Sequence, residues 1–243
     1  MMALWAAMPS YFYCGEELDL FAVARNWKAY WSSFVRPFLG RRVLEVGAGI
    51  GANTELLYGG GHLAWLCLEP DRALAARLSD RIRASGMERC ELFCDVISAL
   101  PPEGGYDSVL YLDVLEHIED PTRELCSASS QIRLGGYLVV LAPAHGFLFS
   151  PFDKSIGHLR RYDKSSLAVE VPSGFTQLQL RYLDSVGLLA SLANRLVLQS
   201  ASPTPGQISF WDRFLVPLST VVDRLSCFCL GKSILGIWQK VSP

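Results

Sequence analysis

Four acidic residues stand at the ends of short apolar runs: Glu45 after Val43-Leu44, Glu69 after Leu66-Cys67-Leu68, Asp95 after Leu92-Phe93-Cys94, and Asp113 after Leu110-Tyr111-Leu112. If these runs are strands of a parallel sheet, all four carboxylates reach one edge, where they repel a pyrophosphate and attract a cation. The first run opens a glycine-rich turn containing Gly47, Ala48, Gly49, Gly51 and Asn53. Gly47, Gly49 and Ala52 satisfy the dinucleotide fingerprint G-x-G-x-x-G/A, so NAD fits the glycines but leaves Glu45 and Asp95 unexplained. Glu69 follows Gly49 by 20 residues, the spacing at which a carboxylate accepts from ribose hydroxyls, with Pro70 beside it. Asp95 and Val96 are placed for an adenine amino group and ring edge. Glu45, Leu112 and Asp113 are left for an ammonium. The expected ligand is a cationic nucleoside, and S-adenosylmethionine carries both a sulfonium and an ammonium.

Methyl transfer from that donor is an in-line displacement, so holding the acceptor near the methyl supplies most of the acceleration. A phenol, an alcohol or an enol-like carbon also gains from a base of near-neutral pKa. His117, His145 and His158 follow the fourth and fifth apolar runs and are the candidates, with Tyr162 grouped beside them. His62 precedes the second run and is expected at the opposite end, on the surface. Arg160 is a candidate clamp for a substrate anion. Tyr13, Trp27, Tyr30, Trp31, Phe147 and Trp211 are candidate walls of an acceptor pocket. On a helix, Asp113, Glu116 and His117 at i, i+3 and i+4 would share a face and could bind a divalent ion. Asp113 has a competing cofactor role, and the expected chemistry uses no metal.

These residues need a frame. Strands are expected at 42–46, 63–68, 90–94, 107–112, 137–142 (after the Gly135-Gly136 turn), 175–183 and 233–238. Helical patterns run from Ala52, over 71–84 and from Pro121 to Ile132. A helix with Leu20, Val23, Trp27, Tyr30 and Phe34 on one side is expected from Glu16 to Phe38. Between the last two strands, helical runs at 185–198 and 210–225 flank a Pro-Gly breaker. The alternation predicts an α/β fold, a doubly wound sheet with a helical cap. Its expected parts are an N-terminal cap segment at 1–40, a core at 41–183, a cap insertion at 184–230 and a closing strand at 231–243.

Composition narrows the partners. The 22 basic and 24 acidic residues of the 243 give a net charge of −2, which excludes the electrostatic footprint of a nucleic-acid binder. No apolar stretch reaches the roughly 20 residues of a membrane span. The apolar N-terminus Met1–Met8 lacks the basic flank of a secretory signal. Seven cysteines form no even disulfide framework, and Cys227-Phe-Cys229 has no second pair for zinc. The expectation is a cytoplasmic monomer or homodimer acting on a small molecule.

The ordered motifs Glu45-Val-Gly-Ala-Gly-Ile-Gly51, Leu68-Glu-Pro-Asp71, Cys94-Asp-Val96, Tyr106 to Asp120 and Leu134-Gly-Gly-Tyr-Leu-Val-Val140 resemble the class I S-adenosylmethionine-dependent methyltransferases. The resemblance covers residues 41–183 and implies a seven-stranded Rossmann-like sheet with its last strand antiparallel. Gly231 to Lys240 looks like that strand. It implies a small-molecule methyltransferase, and with the aromatic candidates above the expected reaction is methylation at carbon, oxygen or nitrogen of a small, largely apolar or aromatic acceptor in secondary metabolism. The order is an electron-rich ring carbon such as that of indole, a phenol oxygen, an amine and a lipid-linked headgroup. A non-catalytic protein that binds the same cofactor and an NAD-dependent oxidoreductase are the alternatives.

Overall fold

The computed structural model describes residues 16–102, 104–193 and 203–242. Strands β1 (Arg42–Val46), β2 (Ala64–Leu68), β3 (Cys90–Phe93), β4 (Tyr106–Leu112), β5 (Ile132–Pro143), β6 (Phe175–Leu183) and β7 (Ser233–Lys240) form one sheet in the order β3-β2-β1-β4-β5-β7-β6. Antiparallel β7 pairs with β5 and β6, and the pairs among β1 to β5 are parallel. This is the methyltransferase-like α/β fold. Strand order reverses between β1 and β4, so their carboxyl ends open the crevice in which such sheets bind ligands.

Alternation along each strand feeds two cores. Val43, Leu110, Val139, Leu235 and Ile237 face one side; there α1 (Glu16–Ala22) packs Leu20 and Phe21, and α2 (Arg25–Val35), α3 (Ala52–Leu57) and α4 (Arg72–Ala84) contribute Trp27, Trp31, Leu57 and Leu78. Leu44, Val109, Leu138, Val140 and Ile234 face the other, against Leu125 and Ala128 of α5 (Pro121–Gln131) and Leu167 of α7 (Lys164–Glu170). The short α6 (Pro151–Ser155) follows β5. Asp71 starts α4 by accepting from the Ala73 and Leu74 amides, and Asp120 caps α5 through Arg123 N–H.

Three expectations are corrected. The N-terminal run is two helices, because α1 stops at Ala22 and α2 restarts at Arg25; the break turns Val23 out to 66% exposure and buries Ala24 instead. β5 begins at Ile132 and contains Gly135-Gly136, an irregularity in its pairing with β4 absorbing the turn. β7 extends past Trp238 to Lys240. Positions 194–198 of the expected 185–198 helix, and Tyr13, lie outside the described residues.

Between β6 and β7, α8 (Ser185–Ala193), α9 (Pro205–Phe210), a π-helical turn at Trp211–Leu215 and α10 (Val216–Leu225) form a cap. The cap buries Ile208, Trp211 and Val216 inward, and it also presents Phe210, Phe214, Leu218, Val221 and Leu225 to solvent. Buried carboxylates fix it to the sheet. Asp223 accepts from the Tyr30 hydroxyl (2.8 Å) and from the Asp184 and Ser185 amides (2.7 and 2.9 Å). Asp184 accepts from Ser219 Oγ (2.6 Å) and Trp211 Nε1 (2.7 Å). Asp212 receives the Trp27 amide (2.9 Å) and so caps α2, whose own N-terminal residue supplies no side-chain cap.

Asp223→Ala would strand three donors and is expected to lower unfolding free energy by about 3 kcal/mol or more, whereas Tyr30→Phe should cost about 1 kcal/mol. Urea denaturation measures both; a loss under about 1 kcal/mol for Asp223→Ala would mean that the cap is held elsewhere.

Candidate functional site

At the crevice the backbone after β1 makes a tight turn. Gly47 has φ +66°, and a Cβ there would meet Val114 Cγ2 at 2.6 Å; at Gly51, φ +76°, it would meet Leu78 Cδ1 at 2.5 Å. Neither position takes a side chain without displacement. Glu69 braces the turn from β2, its Oε2 accepting from Gly49 N–H (2.8 Å) and its Oε1 from Asp71 N–H (2.9 Å). Glu45 is 2% exposed and accepts from Trp65 Nε1 (3.0 Å). Burial pushes its carboxyl up to about 7, against the Thr54 and Trp65 hydrogen bonds and Lys28, which pull it down.

The turn walls one end of a cavity of about 1170 Å³. Gly47, Ala48, Gly49, Asn53, Leu112 and Asp113 line that end; Trp27 and Trp31 of α2 and Trp211 of the cap line the body. Asp113 adopts φ +58° and is exposed to the cavity; desolvation by the surrounding protein pushes its carboxyl up to about 6 against His158, Lys232 and Lys28. Lys28, missed by sequence reasoning, enters the same wall from α2. Its ammonium is lowered to about 8 by burial and Arg81, with Asp113 and Glu45 opposing. Lys232 Nζ lies 3.7 Å above the Trp211 ring and 3.4 Å from Asp184.

At the far end stand Glu116, His117, His158, Asp153 and Arg161. His158 Nδ1 pairs with Asp153 Oδ1 at 2.9 Å, and its Nε2 lies 3.7 Å from Glu116 Oε1. Asp153 also takes Arg161 through Nε (2.9 Å) and Nη2 (3.0 Å), and Ser150 through its amide and hydroxyl. The His158, Arg161 and Ser150 contacts outweigh burial and hold its carboxyl well below the usual range. His117 meets the Gly157 carbonyl from Nδ1 (3.2 Å) and packs edge-on against His158, with ring centroids 4.7 Å apart. Burial and His158 lower its pKa to about 4. A short 3₁₀ turn stands at Leu115–His117 in place of the helix that would have aligned the three residues, and the left-handed Asp113 breaks its i, i+3, i+4 relation to Glu116 and His117.

The remaining candidates lie outside the cavity wall. Pro70, Asp95 and Val96 stay at the carboxyl edge beside Glu69, where Asp95 Oδ1 accepts from Val96 N–H. His145 (φ +64°) stacks on Phe147 and packs against Tyr182. Tyr162, 1% exposed, donates to the Leu115 carbonyl (3.3 Å) and so props up the 3₁₀ turn. Arg160 donates to the Glu119 carbonyl (3.0 Å). Tyr30 is spent on Asp223. His62 is not a surface residue: it is 9% exposed, with Nδ1 2.9 Å from the Gly40 carbonyl and its ring against Trp65. Phe149 and Phe152, which do line the cavity, belong to the aromatic run after β5.

Because Glu45 binds its proton more tightly folded than unfolded, its contribution to stability falls as pH rises from about 4.5 to about 7. Glu45→Gln keeps the acceptor for Trp65 and is expected to remove on the order of 3 kcal/mol of that decline. Denaturation at pH 5 and pH 8 on both proteins tests this; identical pH slopes would show that Glu45 stays charged.

Residues 22–183 match the family model described as a methyltransferase domain. A tRNA U34 carboxymethyltransferase of Shewanella frigidimarina is 28% identical over 121 residues, which are 47% of this chain and 37% of that protein; the chain thus spans little more than a third of this curated relative. Geranyl diphosphate methyltransferase, solved in complex with SAM, superposes with a TM-score of 0.65 at 13% identity, covering 97% of this chain and 93% of that one. The [4+2]-cyclase SpnF reaches 0.62 at 17% identity over 94% and 96%. At such identities these structures establish the shared fold. With the family model covering most of the chain, this protein belongs to the methyltransferase-domain family and is an S-adenosylmethionine-dependent methyltransferase.

Proposed function

We propose that the protein methylates a small, largely apolar or aromatic acceptor held in the cavity against Trp27, Trp31, Phe149, Phe152 and Trp211. The carrying observation is the continuity of that cavity, from the glycine turn and Asp113 past the aromatic walls to the imidazole cluster. The residues present fit the cofactor: a turn that lines the cavity with Gly47, Ala48 and Gly49, a carboxylate at Asp113 for an ammonium, and a half-buried Lys28 for a carboxylate. Glu69 takes the ribose, Asp95 and Val96 the adenine, and Glu45 balances Lys28 from beneath the turn. When bound, S-adenosylmethionine supplies a methyl made electrophilic by its sulfonium.

The chain's own task is then orientation and exclusion of water. Proton removal, where the acceptor needs it, falls to the group around His117 and His158. An electron-rich ring carbon is the favoured target, with phenol oxygen and amine behind it. The reading places the enzyme in the cytoplasm, in secondary metabolism. A tRNA acceptor, named for the Shewanella relative, is disfavoured by the net charge of −2.

Calorimetry with S-adenosylhomocysteine and with NADH tests the cofactor; binding of NADH alone would overturn the reading. Lys28→Ala and Glu69→Ala are each expected to weaken S-adenosylhomocysteine by about 1–3 kcal/mol, and unchanged affinity removes the residue concerned from the site. Cofactor binding without methyl transfer across a panel of phenols, indoles and amines would favour a non-catalytic role.

A further inference from the structure

Glu116 is fully buried, and neither of its carboxylate oxygens has a hydrogen-bond partner. A carboxylate taken out of water without compensation costs several kcal/mol, and a bound cation would supply that compensation. Its neighbours are metal donors. One ligand atom each from Glu116, His117 and His158 lies within 4.8 Å of the other two, the sole such trio among the described residues. Both rings are held from behind, His158 by Asp153 at 2.9 Å and His117 by the Gly157 carbonyl at 3.2 Å. Metal-ligating histidines are oriented in this way, by a carboxylate or carbonyl on the other ring nitrogen. Asp153 is itself fixed by Arg161 and Ser150, which keeps His158 aimed at Glu116.

We propose that Glu116, His117 and His158 bind a divalent transition-metal ion at the acceptor end of the cavity. Two imidazoles and one carboxylate suit ions such as Zn²⁺, Fe²⁺ or Mn²⁺, and leave open positions. All three residues line the cavity, so those positions face the space assigned to the acceptor. Bonds of about 2.0–2.2 Å bring ligand atoms to about 3–3.5 Å from one another, so the ion would draw these side chains in by roughly 1 Å. The set departs from the metal-free expectation and from the trio Asp113, Glu116 and His117, because His158 arrives from the loop after α6 and takes the place among the clustered ligand atoms that Asp113 does not. Metal binding does not depend on the methyl-transfer reading. On that reading, a hydroxyl of the acceptor bound to the ion would lose its proton more readily.

The test uses the full chain, dialysed against a chelator and titrated with Co²⁺ as a spectroscopic stand-in for Zn²⁺. Saturable d–d absorption at one ion per chain is expected. Glu116→Gln and His158→Gln should each weaken it at least tenfold, while His145→Gln leaves it unchanged. Should a variant fail to fold by circular dichroism, paramagnetic shifts of the His117 and His158 ring protons in the unsubstituted protein decide. The proposal is overturned by absence of saturable binding up to millimolar Co²⁺, by binding that Glu116→Gln leaves intact, by a thiolate charge-transfer band that places the ion on cysteines, or by unshifted ring protons. S-adenosylhomocysteine titrated into the same sample reads the cofactor site separately.

Discussion

Three buried aspartates hold the cavity's roof in place. Asp184, Asp212 and Asp223 lie in or beside the cap, and each is shielded from water. A carboxylate in that setting is tolerable only with its lone pairs filled, and the donors that fill them come from separate elements. Tyr30 and the Trp27 amide come from α2, Trp211 and Ser219 from the cap, Lys232 from the approach to β7. Apolar packing alone would let the cap slide over the sheet. The directional demand of these hydrogen bonds fixes α2 and the cap in one arrangement, and with them the positions of Trp27, Trp31 and Trp211.

Within that enclosure the two ends differ in charge. The end beside the glycine turn sets Asp113 and the deeper Glu45 around Lys28, so anion and cation stand side by side. The far end sets two imidazoles and a fully buried Glu116 against a heavily bonded Asp153. The left-handed backbone at Asp113 separates the ends. It ends the run of β4 and points one carboxylate at the crevice, and the 3₁₀ turn behind it delivers Glu116 and His117 elsewhere.

Much of the frame was legible along the chain. Strand positions follow from apolar runs that stop on glycine, proline or acid, and sheet faces follow from alternation. The glycine turn, the acids closing β2, β3 and β4, and the aromatic segments were also legible, since local spacing carries them. Where local reading erred, a distant partner intervened. The helix before β1 broke in two because α2 takes its cap from Asp212, far along the chain. Tyr30 left the pocket for Asp223. His62, with no local reason to be buried, was enclosed by Gly40 and Trp65.

By itself the sequence determined the class of fold and the kind of cofactor, because both rest on periodicity and on motifs whose parts are neighbours in the chain. Tertiary structure alone decided which side chains meet in the cavity. Lys28 beside Asp113, and Asp153 behind His158 facing Glu116, depend on how separate elements cross. A carboxylate's partners, and with them its charge and chemistry, are set by distances in space that spacing along the chain does not encode.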